Sequence, residues 1–188
     1  MSNSICKLVN LFYTEWLSHF IKKTGSNCYF SHSIMVVGGK NISCGGNVRI
    51  EKNCVIEALE KNPASEQRLN PSINIGNNVY INEFSHISAI NSIVIGDGCL
   101  IGRFVLITDH SHGRADCSSD IRPIKRDLYS KGDVVIEDNV WIGDKVTILS
   151  NVHVGKNAVI GANAVVTKNV PANTVVAGNP ARVVKNII

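Results

Sequence analysis

From residue 136 onward an aliphatic side chain returns at every sixth position: Ile136, Ile142, Ile148, Val154, Ile160 and Val166. Four positions after each stands a second small or branched residue: Val140, Val146, Val152, Ala158, Ala164 and Val170. The segments between are turn formers, Glu-Asp-Asn, Gly-Asp-Lys, Leu-Ser-Asn, Gly-Lys-Asn and Gly-Ala-Asn. Asn, Asp and Gly accept positive φ, so they suit a chain that bends once per repeat. Units such as Val140-Trp141-Ile142 and Val146-Thr147-Ile148 alternate inward, outward, inward, as strands do. A strand that buries so few side chains is not stable alone. Stacked in coils, its inward residues join one column, and only the array is stable.

The same rhythm runs earlier through Ile75-Gly-Asn-Asn-Val79, Ile81, Ile87, Ile95-Gly-Asp-Gly-Cys99, Ile101-Gly102 and Ile107, and more loosely through Ile42, Ile50 and Ile56. It breaks over 57–72 and 108–133, and the step from Ile87 to Ile95 carries two extra residues. Long insertions in a compact domain are functional or disordered. Ahead of the repeats, Ile5, Leu8, Val9, Phe12, Trp16, Leu17, Phe20 and Ile21 have helical spacing, which predicts an amphipathic helix over 4–23 ended by Lys22-Lys23-Thr24-Gly25. Its apolar stripe is expected to dock on the repeats or on a neighbouring subunit. A membrane-surface role would rest on two adjacent lysines alone, so membrane contact is not expected. The chain thus divides into a helix at 1–25 and a repeat domain at 26–188.

Composition sharpens this picture. With 44% hydrophobic and 18% charged residues the chain is expected to be folded, and 6% aromatics fit a β-branched core better than a helical bundle. A net charge of +4 whose longest basic run is Lys22–Lys23 argues against nucleic acid. No apolar run reaches the roughly 18 residues of a membrane span, and neither a basic n-region nor an apolar h-region opens the chain. The cysteines, Cys6, Cys28, Cys44, Cys54, Cys99 and Cys117, form no C-x-x-C pair. They read as reduced thiols of a cytoplasmic protein.

Over roughly residues 36–188 the repeats resemble the hexapeptide-repeat acyltransferases. The closing stretch Val175-Val-Ala-Gly-Asn-Pro-Ala-Arg-Val-Val184 is similar to that of the sugar O-acetyltransferase branch, which includes the galactoside and maltose acetyltransferases. The resemblance implies an all-β fold, a left-handed parallel β-helix of triangular section with three hexapeptides per coil. That hand departs from the usual right-handed crossover, and periodicity alone does not reveal it. It also implies a homotrimer with active sites between subunits, acetyl-CoA as co-substrate, and a small-molecule sugar acceptor.

Acetyl transfer to a hydroxyl needs a base for the proton and donors for the developing oxyanion, and histidine is the usual base. The histidines are His19, His32, His86, His110, His112 and His153, and two of them open the second insertion in Thr108-Asp-His-Ser-His-Gly113. In the galactoside and maltose acetyltransferases the base lies five residues after the last hexapeptide aliphatic before the loop, with an acceptor-positioning Asn thirty residues earlier. Counted from Ile107, the resemblance assigns His112 as base and Asn82, directly after Ile81, as its partner. His110 is the rival base or a substrate contact, and Asp109 either orients a histidine or caps the turn. Zinc-type carbonic anhydrases share the fold but carry a His-x-x-x-x-His pair, whereas the pair here is His-x-His, so no metal is expected. His153 reads as a solvated face residue, and His19 and His32 have no evident partner.

For coenzyme A the resemblance implies Gly143 and Asp144, Ala162, and Thr167 with Lys168 along the later coils, and Arg182 as a phosphate contact. Asp144 replaces the small residue often found in that turn, which puts a contact from its side chain in doubt. Trp141 suits a subunit contact better than the cofactor. The expected activity is direct O-acetylation of a sugar hydroxyl in a ternary complex, with no need for an acetyl-Cys117 intermediate. The 108–133 loop, with Arg114, Arg122, Lys125, Arg126 and Tyr129, would close over the acceptor and hints at an anionic or nucleotide-linked sugar. Alternatives are a streptogramin or chloramphenicol acceptor, N-acetylation of an amino sugar, a zinc hydratase, and a non-catalytic β-helix.

Overall fold

The computed structural model describes residues 3–114 and 120–187. After a helix at Asn3–Ser18 the chain winds into a parallel β-helix with three faces. Face one stacks Lys23–Thr24, Ile42–Cys44, Ser72–Ile75, Ser92–Ile95, Val134–Ile136 and Val152–Val154. Face two stacks Tyr29–Phe30, Arg49–Ile50, Tyr80–Ile81, Leu100–Ile101, Trp141–Ile142 and Val159–Ile160, then Thr174–Ala177. Face three stacks Met35–Val37, Val55–Ala58, His86–Ala89, Leu106–Thr108, Thr147–Ile148 and Val165–Val166. The first paired strand of the array is Lys23–Thr24, so the coils extend N-terminal to residue 36.

Pairing is in register, so like sits on like. Ile81, Ile101, Ile142 and Ile160 stack on face two, and Ile56, Ile87, Ile107, Ile148 and Val166 on face three. These columns are buried, and each coil's backbone bonds its neighbour's at 2.7–3.4 Å. The corners follow the same logic. Asn47, Asn78, Asn139, Asn157 and Asn173 take positive φ, and amide-to-amide bonds such as Asn47 Nδ2 to Asn78 Oδ1 (3.0 Å) and Asn157 Nδ2 to Asn173 Oδ1 (2.9 Å) tie coil to coil. At Gly102 a Cβ would lie 2.7 Å from Asp144 N, so only glycine permits that stacking distance.

The helix departs from expectation in two ways. It ends at Ser18 rather than reaching residue 23, and it docks on the first coil through Asn10, Tyr13, Thr14 and the buried Leu17 rather than through its whole apolar stripe. Asn10 Oδ1 accepts from His32 N–H (2.9 Å), Thr14 Oγ1 accepts from Phe30 N–H (2.8 Å), and the Tyr13 hydroxyl donates to Ile34 O (3.1 Å). His32 Nδ1 also lies 2.7 Å from Asn10 Oδ1, which supplies the partner its sequence did not show. The physical reason is the open end of the β-helix. The first coil has no coil below it, so its backbone groups need polar partners. Leu17 and Ile21 are buried, while Ile5, Leu8, Val9, Phe12, Trp16 and Phe20 face outward. At the other end Arg182–Asn186 pairs antiparallel with Thr174–Ala177 and closes the array.

Both insertions, now bounded as 59–71 and 109–133, leave from the corner between faces three and one. They are therefore neighbours in space. Within the second, Ser111–His112 pairs antiparallel with Leu128–Tyr129, and Cys117 lies outside the described residues.

Cys44, Cys54 and Cys99 point inward and are free thiols. Burial pushes the Cys44 thiol up to about 12 and those of Cys54 and Cys99 up to about 11, so little thiolate forms near neutrality. In a variant with Cys6, Cys28 and Cys117 replaced by Ser, we expect no alkylation of the folded protein at about pH 8 and labelling of Cys44, Cys54 and Cys99 in denaturant. Mass spectrometry after iodoacetamide reads the difference; rapid labelling of the folded form would contradict the inward packing.

Candidate functional site

Strand alternation turns two rows of face-three side chains outward. One row runs Val55, His86, Leu106 and Thr147; the next runs Glu57, Ser88 and Thr108. Over these rows the two insertions close a pocket of about 420 Å³. Its floor includes Glu57, His86, Ser88, Leu106 and Thr108. The first insertion lends Leu59, Asn62, Pro63 and Ala64, and the second lends His110, Ser111, His112, Ile124 and Leu128.

The insertions are bonded to each other. Gln67 uses both ends of its amide on one residue: Nε2 donates to Leu128 O (2.8 Å) and Oε1 accepts from Leu128 N–H (2.7 Å). Asn62, itself buried, donates to Arg126 O (3.0 Å), and Ser65 Oγ donates to Asp127 Oδ1 (2.9 Å). Leu128 stands opposite His112 in the antiparallel pair, so Gln67 acts as a third strand behind the histidine's own ladder.

Three imidazoles line the pocket in three different settings. His86 Nε2 donates to Glu57 Oε1 (2.8 Å), and Ser88 Oγ donates to the same oxygen (2.8 Å). The His86 bond, then the Ser88 bond and the nearby His86 and His110 charges, hold the Glu57 carboxyl below its ordinary value against an opposing burial effect. His110 Nδ1 lies 3.0 Å from Asp109 Oδ1 and is largely enclosed. Asp109 is fully buried, and its carboxylate also accepts from Ile90 N–H (2.9 Å) and Asn91 N–H (2.8 Å). Its carboxylate thus joins the Ile90–Asn91 turn of the preceding coil to the His110 ring. His112 is exposed on the short strand Ser111–His112, and no described residue bonds its ring.

Asn82 lies elsewhere. It follows face two, and its Nδ2 donates to Ile101 O (2.8 Å). One chain thus gathers His110, Asp109 and His112 and leaves Asn82 outside their pocket. Gly143, Asp144 and Ala162 stack at the corner after face two: a Cβ on Gly143 would meet Ala162 N at 2.7 Å, and Asp144 Oδ1 accepts from Arg103 N–H (2.8 Å). The Asp144 carboxylate is thus engaged in coil stacking. Thr167 is exposed at the corner after face three, and beside it Lys168 shares a cleft of about 190 Å³ with Arg182. Two cations in one cleft suit phosphate oxygens.

Beyond Leu128, Gly113, Arg114, Lys125, Arg126 and Tyr129 line a second cavity of about 430 Å³, with the Arg114 guanidinium 5.0 Å from the Tyr129 ring centre. Among the described residues no three His, Cys, Asp or Glu are grouped to hold a metal ion, and no helix is long and apolar enough to cross a membrane. Sequence reasoning missed Glu57 and Gln67 and set His86 aside. The available signal was the outward row through 57, 86 and 88 combined with two insertions at one corner.

Residues 133–168 match the family model described as bacterial transferase hexapeptide (six repeats). Over 113 residues the chain is 43% identical to WbbJ of Escherichia coli (strain K12), whose name places it in lipopolysaccharide biosynthesis as an O-acetyl transferase. That match spans 57% of this chain and 57% of WbbJ. Among solved structures, galactoside acetyltransferase in complex with coenzyme A is similar at a TM-score of 0.64 and 26% identity, over 93% of this chain and 70% of that one. AntD, an N-acyltransferase from Bacillus cereus in complex with dTDP and 3-hydroxybutyryl-CoA, reaches a TM-score of 0.74 at 19% identity, over 93% and 88% of the two chains, a likeness of fold.

Gln67→Ala leaves the Leu128 N–H and C=O without their partners. We expect the local opening free energy at the Leu128 amide to fall by about 1–3 kcal/mol, with Gln67→Glu, which keeps the acceptor, falling less. Hydrogen exchange followed by NMR checks it; unchanged Leu128 protection in Gln67→Ala would show that the clamp does not hold this strand.

Proposed function

We propose that this chain, whose repeats match the bacterial transferase hexapeptide model over residues 133–168 and whose coils have the fold of the hexapeptide acyltransferases, moves an acetyl group from acetyl-CoA to a hydroxyl of a sugar-containing acceptor. The observation that carries the reading is the walled pocket in which His112 presents an imidazole that no described residue bonds, beside two carboxylate-paired histidines. The O-acetyl transferase name of WbbJ and the galactoside acetyltransferase likeness support the class.

In this reading His112 takes the hydroxyl proton as the acceptor oxygen attacks the thioester carbonyl carbon. Backbone N–H groups hold the tetrahedral oxyanion. The carbon–sulfur bond then breaks, and the departing thiolate recovers the proton from the His112 imidazolium. No acetyl-enzyme forms. The Asp109 carboxylate fixes the ring of His110, which contacts the acceptor. Asn82 serves a pocket formed with a neighbouring subunit of a homotrimer, since within one chain it lies at a separate corner. Pantetheine runs along the corners at Gly143, Ala162 and Thr167 using backbone groups, and Lys168 and Arg182 meet the phosphates. Asp144 contributes at most its main chain, because its carboxylate is engaged with Arg103. The reading assigns this work to the cytoplasm, where acetyl-CoA is supplied.

The test is thiol release from acetyl-CoA across sugars, sugar nucleotides, amino sugars and streptogramins. Loss of the base is expected to lower kcat about 10²–10⁴-fold in His112→Ala, with the KM for acetyl-CoA unchanged. Activity that survives His112→Ala but disappears in His110→Ala would transfer the base role to His110. A preference for amino sugars would replace O- by N-acetylation. An absence of both thiol release and acetyl-CoA binding would overturn the reading.

A further inference from the structure

We propose that Glu57, His86 and Ser88 form a subsite of this pocket that holds the acceptor by the hydroxyls of an uncharged pyranose ring, a recognition role that rests on the transferase reading above. Two successive coils supply the three groups, and they converge on one oxygen, Glu57 Oε1, at 2.8 Å from both His86 Nε2 and Ser88 Oγ. That arrangement leaves specific capacity facing the pocket. The second carboxylate oxygen of Glu57 bonds no described residue. In its neutral form, with Nε2 donating to the carboxylate, His86 offers its Nδ1 lone pair as an acceptor.

Sugar hydroxyls are donors that need such acceptors, and a carboxylate with an adjacent imidazole nitrogen can take protons from neighbouring hydroxyls of one ring. Leu59, Pro63 and Leu106 give the same pocket apolar wall for the ring's C–H faces. The sign of the charge selects the class. Glu57 is held ionised by its two donors, and its side chain is only 19% exposed, so a phosphate or carboxylate at this point would be repelled at short range with little screening. Arg114, Lys125 and Arg126 of the 108–133 loop line the neighbouring cavity that shares Leu128 with this pocket, where any anionic part of a longer acceptor would go.

The molecule contains its own control. His153 Nε2 lies 2.7 Å from Glu137 Oε1, the same pairing in residue type and length, at the edge of face one with both side chains about half exposed (50% and 41%). An ordinary surface pair contributes little. Glu137 also takes a second donor, Lys156 N–H on its other oxygen (2.7 Å), so what distinguishes the Glu57 pair is the pocket above it and the more enclosed carboxylate.

The experiment uses the full chain with neutral methyl glycosides of galactose, glucose and mannose, and with the corresponding hexose 6-phosphates. Saturation-transfer NMR reads binding without turnover, and thiol release gives KM and kcat for any that react. We expect the parent to bind at least one neutral glycoside in preference to its phosphate. Glu57→Gln should weaken that binding by about tenfold or more and narrow the preference against phosphate, while acetyl-CoA binding is unchanged. Glu137→Gln should leave both unchanged, and Ser88→Ala provides a second, smaller lesion should Glu57→Gln fail to fold. Binding within about twofold of the parent in both Glu57→Gln and Ser88→Ala, or a parent that prefers phosphorylated sugars or binds no neutral glycoside while still binding acetyl-CoA, would overturn the proposal. A fall in kcat with an unchanged acceptor KM would also overturn it, by making the pair part of the chemistry. Loss of acetyl-CoA binding in the parent would instead sink the transferase reading, and glycoside binding sensitive to Glu57→Gln would then stand alone.

Discussion

Every part of this molecule depends on coil lying upon coil at β-sheet spacing. A two-residue strand such as Trp141–Ile142 has no independent stability; it exists because Leu100–Ile101 lies below it and Val159–Ile160 above. The inward columns supply the apolar burial, and the backbone bonds between coils satisfy the polar groups that burial would otherwise orphan. The same spacing dictates the corners. Side chains are absent at corners such as Gly102 and Gly143, and at others they bond a neighbouring coil, as Asn77, Asp97 and Asp138 do, each accepting from a backbone amide of the coil before it.

An array held together this way has two open ends, and both are closed by different means. The lower end receives a helix whose Asn10, Tyr13 and Thr14 serve as hydrogen-bonding partners for the first coil. The upper end folds its last strand back antiparallel. The requirement at the lower end reverses the simple reading of an amphipathic helix, because an edge of unpaired backbone asks for polar side chains.

The array also limits where anything irregular can be placed. Extra residues cannot enter a face without breaking its register, so they leave at a corner, and here both long insertions leave at the same one. Their proximity turns one face of a regular prism into a walled pocket. Gln67 connects the insertions through Leu128 to the strand that carries His112. Beneath them, the outward positions of face three, which elsewhere carry Thr147 and Val165, carry Glu57, His86 and Ser88. Rigid coils thus supply the floor and the insertions supply the histidine strand, which is the usual division between scaffold and site.

The repeat period, the inward columns, the turn asparagines and the positions of both breaks were legible in the sequence, because each rests on residues at fixed short spacing. Asp109, His110 and His112 were legible as a group for the same reason: they are adjacent in the chain. The docking side of the helix, the Glu57–His86–Ser88 convergence and the Gln67–Leu128 clamp were not. Each joins residues separated by roughly twenty to sixty positions, and no local pattern marks Gln67 among other polar loop residues. Periodicity determines that the chain coils and which side chains face inward. Which outward side chains meet depends on how coils register across the insertions, and that was decided only when the stacked faces brought distant segments together.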